Sequence, residues 1–302
     1  EGPVLAPLQV ADYDFSAVPE ETEPNDKQEA ASEMTRAGDQ WVSRGRCVEH
    51  EKDWFTFTVE GQPQLWFVEA IGENIHRVDY YSAVGRDKQG VKDRESSRWS
   101  IANLYLLPGQ HWLRVEASSG DQEYTLRVIS LGPPDPRAER EPNDDVSRAH
   151  LLRFGVSRSG LIFDEGDRDY YTFSVNNTDH VELTLVPPHD LAMRLTLWEL
   201  SRNIAAFRVF RARSPEPGTT LRYRTLLPPG DYTTEVRAES GHSNTPYEIR
   251  LARLDPFDLP VDLEPNDEQT QAVVLPPGRI GDETEGADGG DSQQSVFERV
   301  PI

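Results

Sequence analysis

The tetrapeptide Glu-Pro-Asn-Asp occurs three times, at Glu23–Asp26, Glu141–Asp144 and Glu264–Asp267, and the copies start 118 and 123 residues apart. Four identical residues at nearly equal spacing mark an internal repeat, and the surrounding sequence keeps its phase. Asp53-Trp54-Phe55-Thr56-Phe57-Thr58-Val59 returns as Asp169-Tyr170-Tyr171-Thr172-Phe173-Ser174-Val175. Leu106-Leu107-Pro108-Gly109 returns as Leu226-Leu227-Pro228-Pro229-Gly230, and Tyr124-Thr125-Leu126-Arg127-Val128 as Tyr247-Glu248-Ile249-Arg250-Leu251. A unit of roughly 120 residues is too long for a solenoid repeat and suits a domain with its own core. The 302 residues therefore divide into an N-terminal extended segment (1–17), a first domain (18–131), a Pro-rich linker (132–138), a second domain (139–254) and a tail (255–302).

The tail holds a linker and the start of a third copy. It keeps Ala272 and Gly278-Arg279-Ile280-Gly281, then runs through the acidic, Gly-rich stretch Asp282–Gln294, and ends at Ile302 before a third Pro-Gly turn. A partial domain has no complete hydrophobic face to bury, so this segment is expected to be mobile or docked on a neighbour. Together with a first residue that is Glu1 rather than Met, this suggests either a removed signal peptide or a piece of a larger polypeptide.

Within each copy the apolar residues alternate with period two. Phe55, Phe57 and Val59 point one way in the first copy, and Tyr171, Phe173 and Val175 in the second. Further strands are expected at 65–71, 101–107, 111–117, 123–129, 181–186, 194–200, 205–210, 221–227, 232–238 and 247–252. Pro108-Gly109 and Pro229-Gly230 fit type II turns, each closing a hairpin. Helical periodicity is confined to the short stretch after each Glu-Pro-Asn-Asp, such as Lys27–Met34. Many short strands punctuated by turns indicate an all-β chain of tandem antiparallel β-sandwich (jelly-roll-like) domains. The linker Gly132-Pro133-Pro134-Asp135-Pro136 should be stiff and extended.

Composition narrows the function. With 31 Lys and Arg against 53 Asp and Glu the net charge is −22, which excludes electrostatic binding of nucleic acid as the main activity. No stretch of 18 apolar residues is present to span a bilayer. The acidic balance suits a secreted protein in a salt-rich or divalent-rich medium, or plain solubility. A single cysteine, Cys47, excludes an internal disulfide and a multi-cysteine metal site, and reads as a buried inert thiol or, less simply, a reactive one. There is no Gly-x-Ser-x-Gly, no phosphate-binding Gly loop and no His-Glu-x-x-His, since His50-Glu51-Lys52-Asp53 lacks the second His. The chain reads as a non-enzyme.

These motifs as a set resemble the bacterial pre-peptidase C-terminal domain family, which is similar in turn to the collagen-binding β-sandwich modules of clostridial collagenases. The resemblance rests on Glu21-Thr22-Glu23-Pro24-Asn25-Asp26, Ala31, Gly45, Asp53-Trp54-Phe55-Thr56-Phe57, Pro108-Gly109 and Tyr124 in the first copy. In the second it rests on Glu139-Arg140-Glu141-Pro142-Asn143-Asp144, Ala149, Gly160, Asp167-Arg168-Asp169-Tyr170-Tyr171, Pro229-Gly230-Asp231-Tyr232 and Tyr247. Trp112 departs from the family's Tyr after Pro-Gly, and the first copy carries a long polar stretch, Asp79–Ser100, in mid-domain. The family implies secretion to the periplasm, medium or cell surface of a bacterium, and service as an accessory module beside other domains of a larger polypeptide. Some relatives bind calcium through the entry segment and the later acidic loop.

Residue chemistry alone supports an ion. Glu21, Glu23 and Asp26 put three carboxylates within six residues, with the Asn25 amide among them, and like charges so placed are unfavourable without a cation or water between them. Oxygen donors of this kind suit calcium and not zinc. The second set must come from the acidic loop before the aromatic strand, where Glu51 and Asp53 match Asp167 and Asp169 with one residue gapped. The candidate ligands are thus Glu21, Glu23, Asn25, Asp26, Glu51 and Asp53; Glu139, Glu141, Asn143, Asp144, Asp167 and Asp169; and, in the third copy, Asp262, Glu264, Asn266 and Asp267. The competing reading is local: Asn25 or Asp26 caps the following short helix or shapes a plain turn, Asp26 forming a capping-box-like pair with Glu29 that the second copy lacks, since Ser147 occupies the matching place.

Two further surfaces suggest partners. Trp41, Trp66, Trp99, Trp112, Tyr80 and Tyr81 crowd the first copy, as core and rim side chains or as a platform for a polysaccharide or an extended polypeptide. The Arg-rich segment Arg202–Arg224 is a candidate protein contact. The reading is a non-catalytic, calcium-stabilised tandem module used for adhesion, domain positioning or protein–protein interaction. The alternative is a polysaccharide- or collagen-like ligand-binding module that uses exposed aromatics.

Overall fold

A computed structural model describes residues 11–47, 51–92, 97–117, 122–163, 166–200 and 207–254. The third copy and its candidate ligands Asp262, Glu264, Asn266 and Asp267 lie outside the described residues, as does the side chain of Cys47.

The alternating runs become strands, and each copy packs two sheets on one core. In the first domain one sheet runs, in spatial order, Ser32–Glu33, Lys52–Val59, Gly109–Ala117, Ile75–Ser82 and Gly85–Gln89. The facing sheet runs Thr35–Ala37, Gln40–Cys47, Gln122–Gly132, Gln64–Ile71, Arg98–Leu106 and Val91–Lys92. In the second domain the corresponding sheets run His150–Leu151, Asp169–Val175, Gly230–Ala238, Met193–Leu200 and Phe207–Arg213, against Arg158–Gly160, Tyr247–Arg253, Asp179–Val186 and Leu221–Leu227. The strand order is the same in both domains apart from two short additions, Thr35–Ala37 and Val91–Lys92, in the first.

Phe55, Phe57 and Val59 enter the first core, and Tyr171, Phe173 and Val175 the second, as their alternation predicts. Each such side chain contributes about 1.5–3 kcal/mol by leaving water. The opposite face of the aromatic strand is not simply polar: Trp54 is also buried, packed on Tyr81 with ring centroids 4.6 Å apart and with the Arg114 guanidinium 5.7 Å from its ring.

Three expectations are corrected. The Pro-Gly turns are not hairpins. Arg98–Leu106 pairs with Gln64–Ile71 in one sheet, whereas Gly109–Ala117 pairs with Lys52–Val59 and Ile75–Ser82 in the other. The same separation holds for Leu221–Leu227 and Gly230–Ala238. The chain therefore crosses between sheets at these turns, and with Gly109 at φ 144° and Gly230 outside the left-handed region, neither turn is type II. Alternation identifies the buried face of a strand, but a neighbour in the same sheet and one in the facing sheet require the same alternation.

The stretch after Glu-Pro-Asn-Asp is not a helix beyond a single 3₁₀ turn, Gln28–Ala30 or Val146–Arg148. It is stopped by parallel pairing of the next residues with the aromatic strand: Ser32 opposite Phe55 and His150 opposite Tyr171. The second half of the linker is a turn, in which Ala138 N donates to Asp135 O at 3.0 Å and Arg137 N to Asp135 Oδ1 at 2.8 Å. Among the described residues no helix is long and apolar enough to cross a membrane.

Candidate metal centres

The parallel pairing of entry segment and aromatic strand builds the site. It lays the Glu-x-Glu-Pro-Asn loop beside the start of the strand that begins near Asp53 or Asp169, and Trp54 N donates to Asn25 O at 3.0 Å, as Tyr170 N does to Asn143 O at 3.3 Å. Both Glu-Pro bonds, Glu23-Pro24 and Glu141-Pro142, are cis. The loop then turns back on itself, so that Asn25 N donates to Glu23 Oε2 at 2.9 Å and Asn143 N to Glu141 Oε2 at 3.0 Å.

In the first domain carboxylate oxygens of Glu21, Glu23 and Asp53 lie within 4.8 Å of one another. Asn25 is fully buried beside them; its Nδ2 donates to Glu21 Oε2 at 2.9 Å and to Ser32 Oγ at 3.2 Å. Arg46 N donates to Glu21 Oε1 at 2.6 Å, and the Tyr124 hydroxyl donates to Asp53 Oδ2 at 2.6 Å. Asn25 Oδ1 and Asp53 Oδ1 remain buried without a hydrogen-bond partner. Burial pushes the Asp53 carboxyl up to about 8, against the Tyr124 hydrogen bond and with the help of the Glu21, Glu51 and Glu23 charges. Burial also raises Glu21, with Glu23 adding to it.

In the second domain carboxylate oxygens of Glu141, Asp167 and Asp169 lie within 4.8 Å of one another, with Asp167 joining the group in place of Glu139, the counterpart of Glu21, and all three residues are buried. Tyr247 takes the place of Tyr124, donating to Asp169 Oδ2 at 2.6 Å; because its proton goes there, the Tyr171 hydroxyl, also at 2.6 Å, donates to Tyr247. Glu139 is fully buried and its Oε1 accepts from Leu161 N at 2.6 Å and from Asn103 Nδ2 of the first domain at 3.1 Å. Glu139 and Asp169 face each other carboxyl to carboxyl, and both polar atoms of the buried Asn143 side chain have no partner. Burial, reinforced by neighbouring carboxylates, holds Glu139, Glu141 and Asp169 well above the ordinary carboxylate range.

This cluster also contains a cation from the other domain: Lys88 Nζ lies 3.1 Å from Glu141, 2.9 Å from Asp144 and 3.2 Å from Asp167. Burial would lower the Lys88 pKa, but the Asp167, Glu141 and Asp144 charges outweigh it and hold it well above the usual value.

Of the expected ligands, Glu21, Glu23, Asn25 and Asp53 converge, as do Glu139, Glu141, Asn143, Asp167 and Asp169. Asp26 is exposed and outside the first group. Glu51 stands at its edge, its carboxyl raised first by burial and then by Glu23 and Asp26, but it does not join the three. The Glu51–Asp167 match therefore fails while the Asp53–Asp169 match holds, since only the latter residues meet the closing tyrosine. The capping reading is also corrected. The residue before the first 3₁₀ turn is Lys27, which makes no side-chain cap, and in the second copy Asp145, not Asn143 or Asp144, accepts from Ser147 N. Asn25 and Asn143 are held inside the loops instead.

Sequence reasoning assigned no role to Lys88, since its partners lie more than 50 residues away in another domain. The two tyrosines were legible only as the end of a repeated strand. The motif glycines now have a reason: Gly45 lies opposite Tyr124 and Gly160 opposite Tyr247 on paired strands, and a Cβ there would sit 2.3 Å and 2.2 Å from the ring or its hydroxyl.

The other candidate surfaces resolve differently. Trp66, Trp99 and Tyr80 are buried, and Trp41, Trp112 and Tyr81 half-buried, so these rings serve the core and its rim. In the Arg-rich segment, Phe207–Arg213 is the edge strand of its sheet and exposes Arg208, Arg211 and Arg213.

No protein-family model matches the sequence. Among solved structures the chain is similar to the pre-peptidase C-terminal domain of a collagenase from Bacillus anthracis, with 15% identity and a TM-score of 0.30 over 34% of this chain and 93% of that one. It is similar to the PBSX exported protein XepA, with 11% identity and a TM-score of 0.28 over 71% and 87%. It is also similar to the N-terminal CBM22-1-CBM22-2 tandem domain of Paenibacillus barcinonensis Xyn10C, with 9% identity and a TM-score of 0.22 over 72% and 88%. Likenesses this distant carry no argument about function, and the sandwich architecture stands on the strand pairing itself.

Proposed function

We propose that this chain is a non-catalytic tandem β-sandwich module of a larger secreted, periplasmic or surface bacterial protein, stabilised by calcium and used to position neighbouring domains or to adhere to a protein or polysaccharide partner. The observation that carries the calcium reading is the first centre. Three carboxylates and a buried amide converge there, two of their oxygens are buried without a partner, and the fields acting on Glu21 and Asp53 come from other carboxylates. Burying such groups uncompensated costs several kcal/mol, and a cation with six to eight oxygen ligands offsets that cost. Glu21, Glu23, Asn25 and Asp53 would hold the ion, which neutralises the cluster and ties the entry segment to the aromatic strand. The motif resemblance to pre-peptidase C-terminal domains supports the module reading. Thermal melting with calcium and with chelator tests it. The expected result is a midpoint that rises with calcium concentration and falls with chelator; a midpoint independent of calcium removes the ion from the account.

A further inference from the structure

We propose that Lys88 is the resident cation of the second acidic centre, so that two equivalent clusters have diverged: the first is open to a divalent ion, and the second is a socket that locks the first domain onto the second. The proposal rests on the calcium reading for what the first centre does and on geometry for the second. Lys88 projects from the edge strand Gly85–Gln89, inside the polar stretch Asp79–Ser100 of the first copy. Its side chain is only 9% exposed, and its three N–H donors face three carboxylates at 2.9–3.2 Å. An ammonium so placed occupies the position a metal ion would need. The neighbouring Asp87 pairs with Arg148 at 2.8 Å, a second charged contact in the same direction between the domains.

The backbone that carries the second centre is tied to the first domain at the same place. Glu141 N donates to Asn103 O at 2.9 Å and Tyr105 N to Glu141 O at 2.8 Å, so Glu141 pairs as a one-residue parallel bridge beside Leu104 of the Arg98–Leu106 strand. Arg140 lies over the Tyr105 ring at 4.8 Å. Below, Phe67 and Ala102 of the first domain are buried against Leu161 of the second, with Phe163 against them. Lys88 thus completes a docked interface in which the acidic cluster supplies the counter-charge. Occupation by a divalent ion and by Lys88 are mutually exclusive, so an ion entering the second centre must eject the Gly85–Gln89 strand and weaken the lock.

The test counts ions and reads the lock separately. Calcium is titrated by calorimetry into the full chain as wild type, Lys88→Met, Glu23→Gln and the double variant, with Lys88→Arg as the charge-conserving control; near-UV circular dichroism checks folding. Expected counts at the two centres are one for wild type and Lys88→Arg, two for Lys88→Met, none for Glu23→Gln and one for the double variant. Two equivalent ions in wild type, or one ion in wild type with no gain in either Lys88→Met background, overturns the proposal while leaving the first centre's calcium reading intact. No binding in any variant sinks the calcium reading, and the lock is then judged by hydrogen exchange without calcium. Lys88→Met, and not Lys88→Arg, should speed exchange of the Tyr105 and Glu141 amides at least tenfold; unchanged exchange overturns it.

Discussion

Replacing Gly160 by alanine tests the tyrosine clasp of the second domain. Gly160 lies directly opposite Tyr247, and its backbone is not in the left-handed region, so the substitution carries no conformational penalty of its own. A Cβ there would sit 2.2 Å from the Tyr247 hydroxyl oxygen, 2.3 Å from Cζ and 2.6 Å from Glu139 Oε2. Tyr247 has no free direction of retreat, since it is fully buried and its hydroxyl is bonded to Asp169 and Tyr171. Overpacking a rigid core costs about 1–3 kcal/mol. Moving the hydroxyl also leaves the buried Asp169 oxygen without its donor, which costs roughly 1–3 kcal/mol. The total, about 2–6 kcal/mol, corresponds to a fall of about 6 °C or more in the Tm of a domain this size. Scanning calorimetry of the full chain reads the shift, and hydrogen exchange over 169–175 assigns it to the second domain. Gly155→Ala is the control: φ is 78° and a Cβ there meets nothing within 4 Å, so only backbone strain of about 1–2 kcal/mol is expected. A Gly160→Ala variant that melts within a few degrees of wild type, or less stable behaviour from the control, would refute the clasp.

Glu23→Gln should abolish most of the calcium-dependent rise in Tm, which in wild type is worth about 2.7 kcal/mol at a hundredfold excess over Kd; an undiminished rise would move the ion elsewhere. Burial, with the Arg158 and Arg140 charges, holds His150 down to about 4, and its Nε2 accepts from Arg140 N at 2.9 Å. The unfolded chain therefore takes up this proton first, near pH 6.5, so the contribution is intact above 6.5 and is lost at about 1.4 kcal/mol per pH unit as pH falls toward 4. Urea midpoints at pH 7, 5.5 and 4.5 should show a shallower acid loss in His150→Gln than in wild type, and parallel curves would contradict this. Arg127 Nε donates to Glu69 in a buried pair that Arg98 also contacts at 3.0 Å. Arg127→Met alone should cost roughly 3 kcal/mol, and adding Glu69→Leu should recover most of it, since the loss is that of a buried carboxylate left with only the half-exposed Arg98 as partner; additive losses in chemical denaturation would argue otherwise.

Much of the molecule is written locally. The inward sets Phe55-Phe57-Val59 and Tyr171-Phe173-Val175 follow from alternation, and the duplication is visible in four motifs before any coordinate is known. Convergence of Glu23 with Asp53, and of Glu141 with Asp169, was legible because the same acidic residues recur in the same two places in both copies. The helix after Glu-Pro-Asn-Asp was misread because a short window cannot register that Ser32 and His150 gain more from pairing with a distant strand than from continuing a turn.

By itself the sequence determined the repeat, the all-strand character, the buried faces and the residues that supply oxygen donors, since each is a property of a few neighbouring side chains. Tertiary structure decided the rest: which sheet receives the strand after each Pro-Gly turn, why Gly45 and Gly160 cannot bear a side chain, that Asp26 and Glu51 stand aside, and that Lys88 enters the second centre. These are contacts between segments tens of residues apart, chosen by how two sheets and two domains fill space together, and no local pattern encodes such a choice.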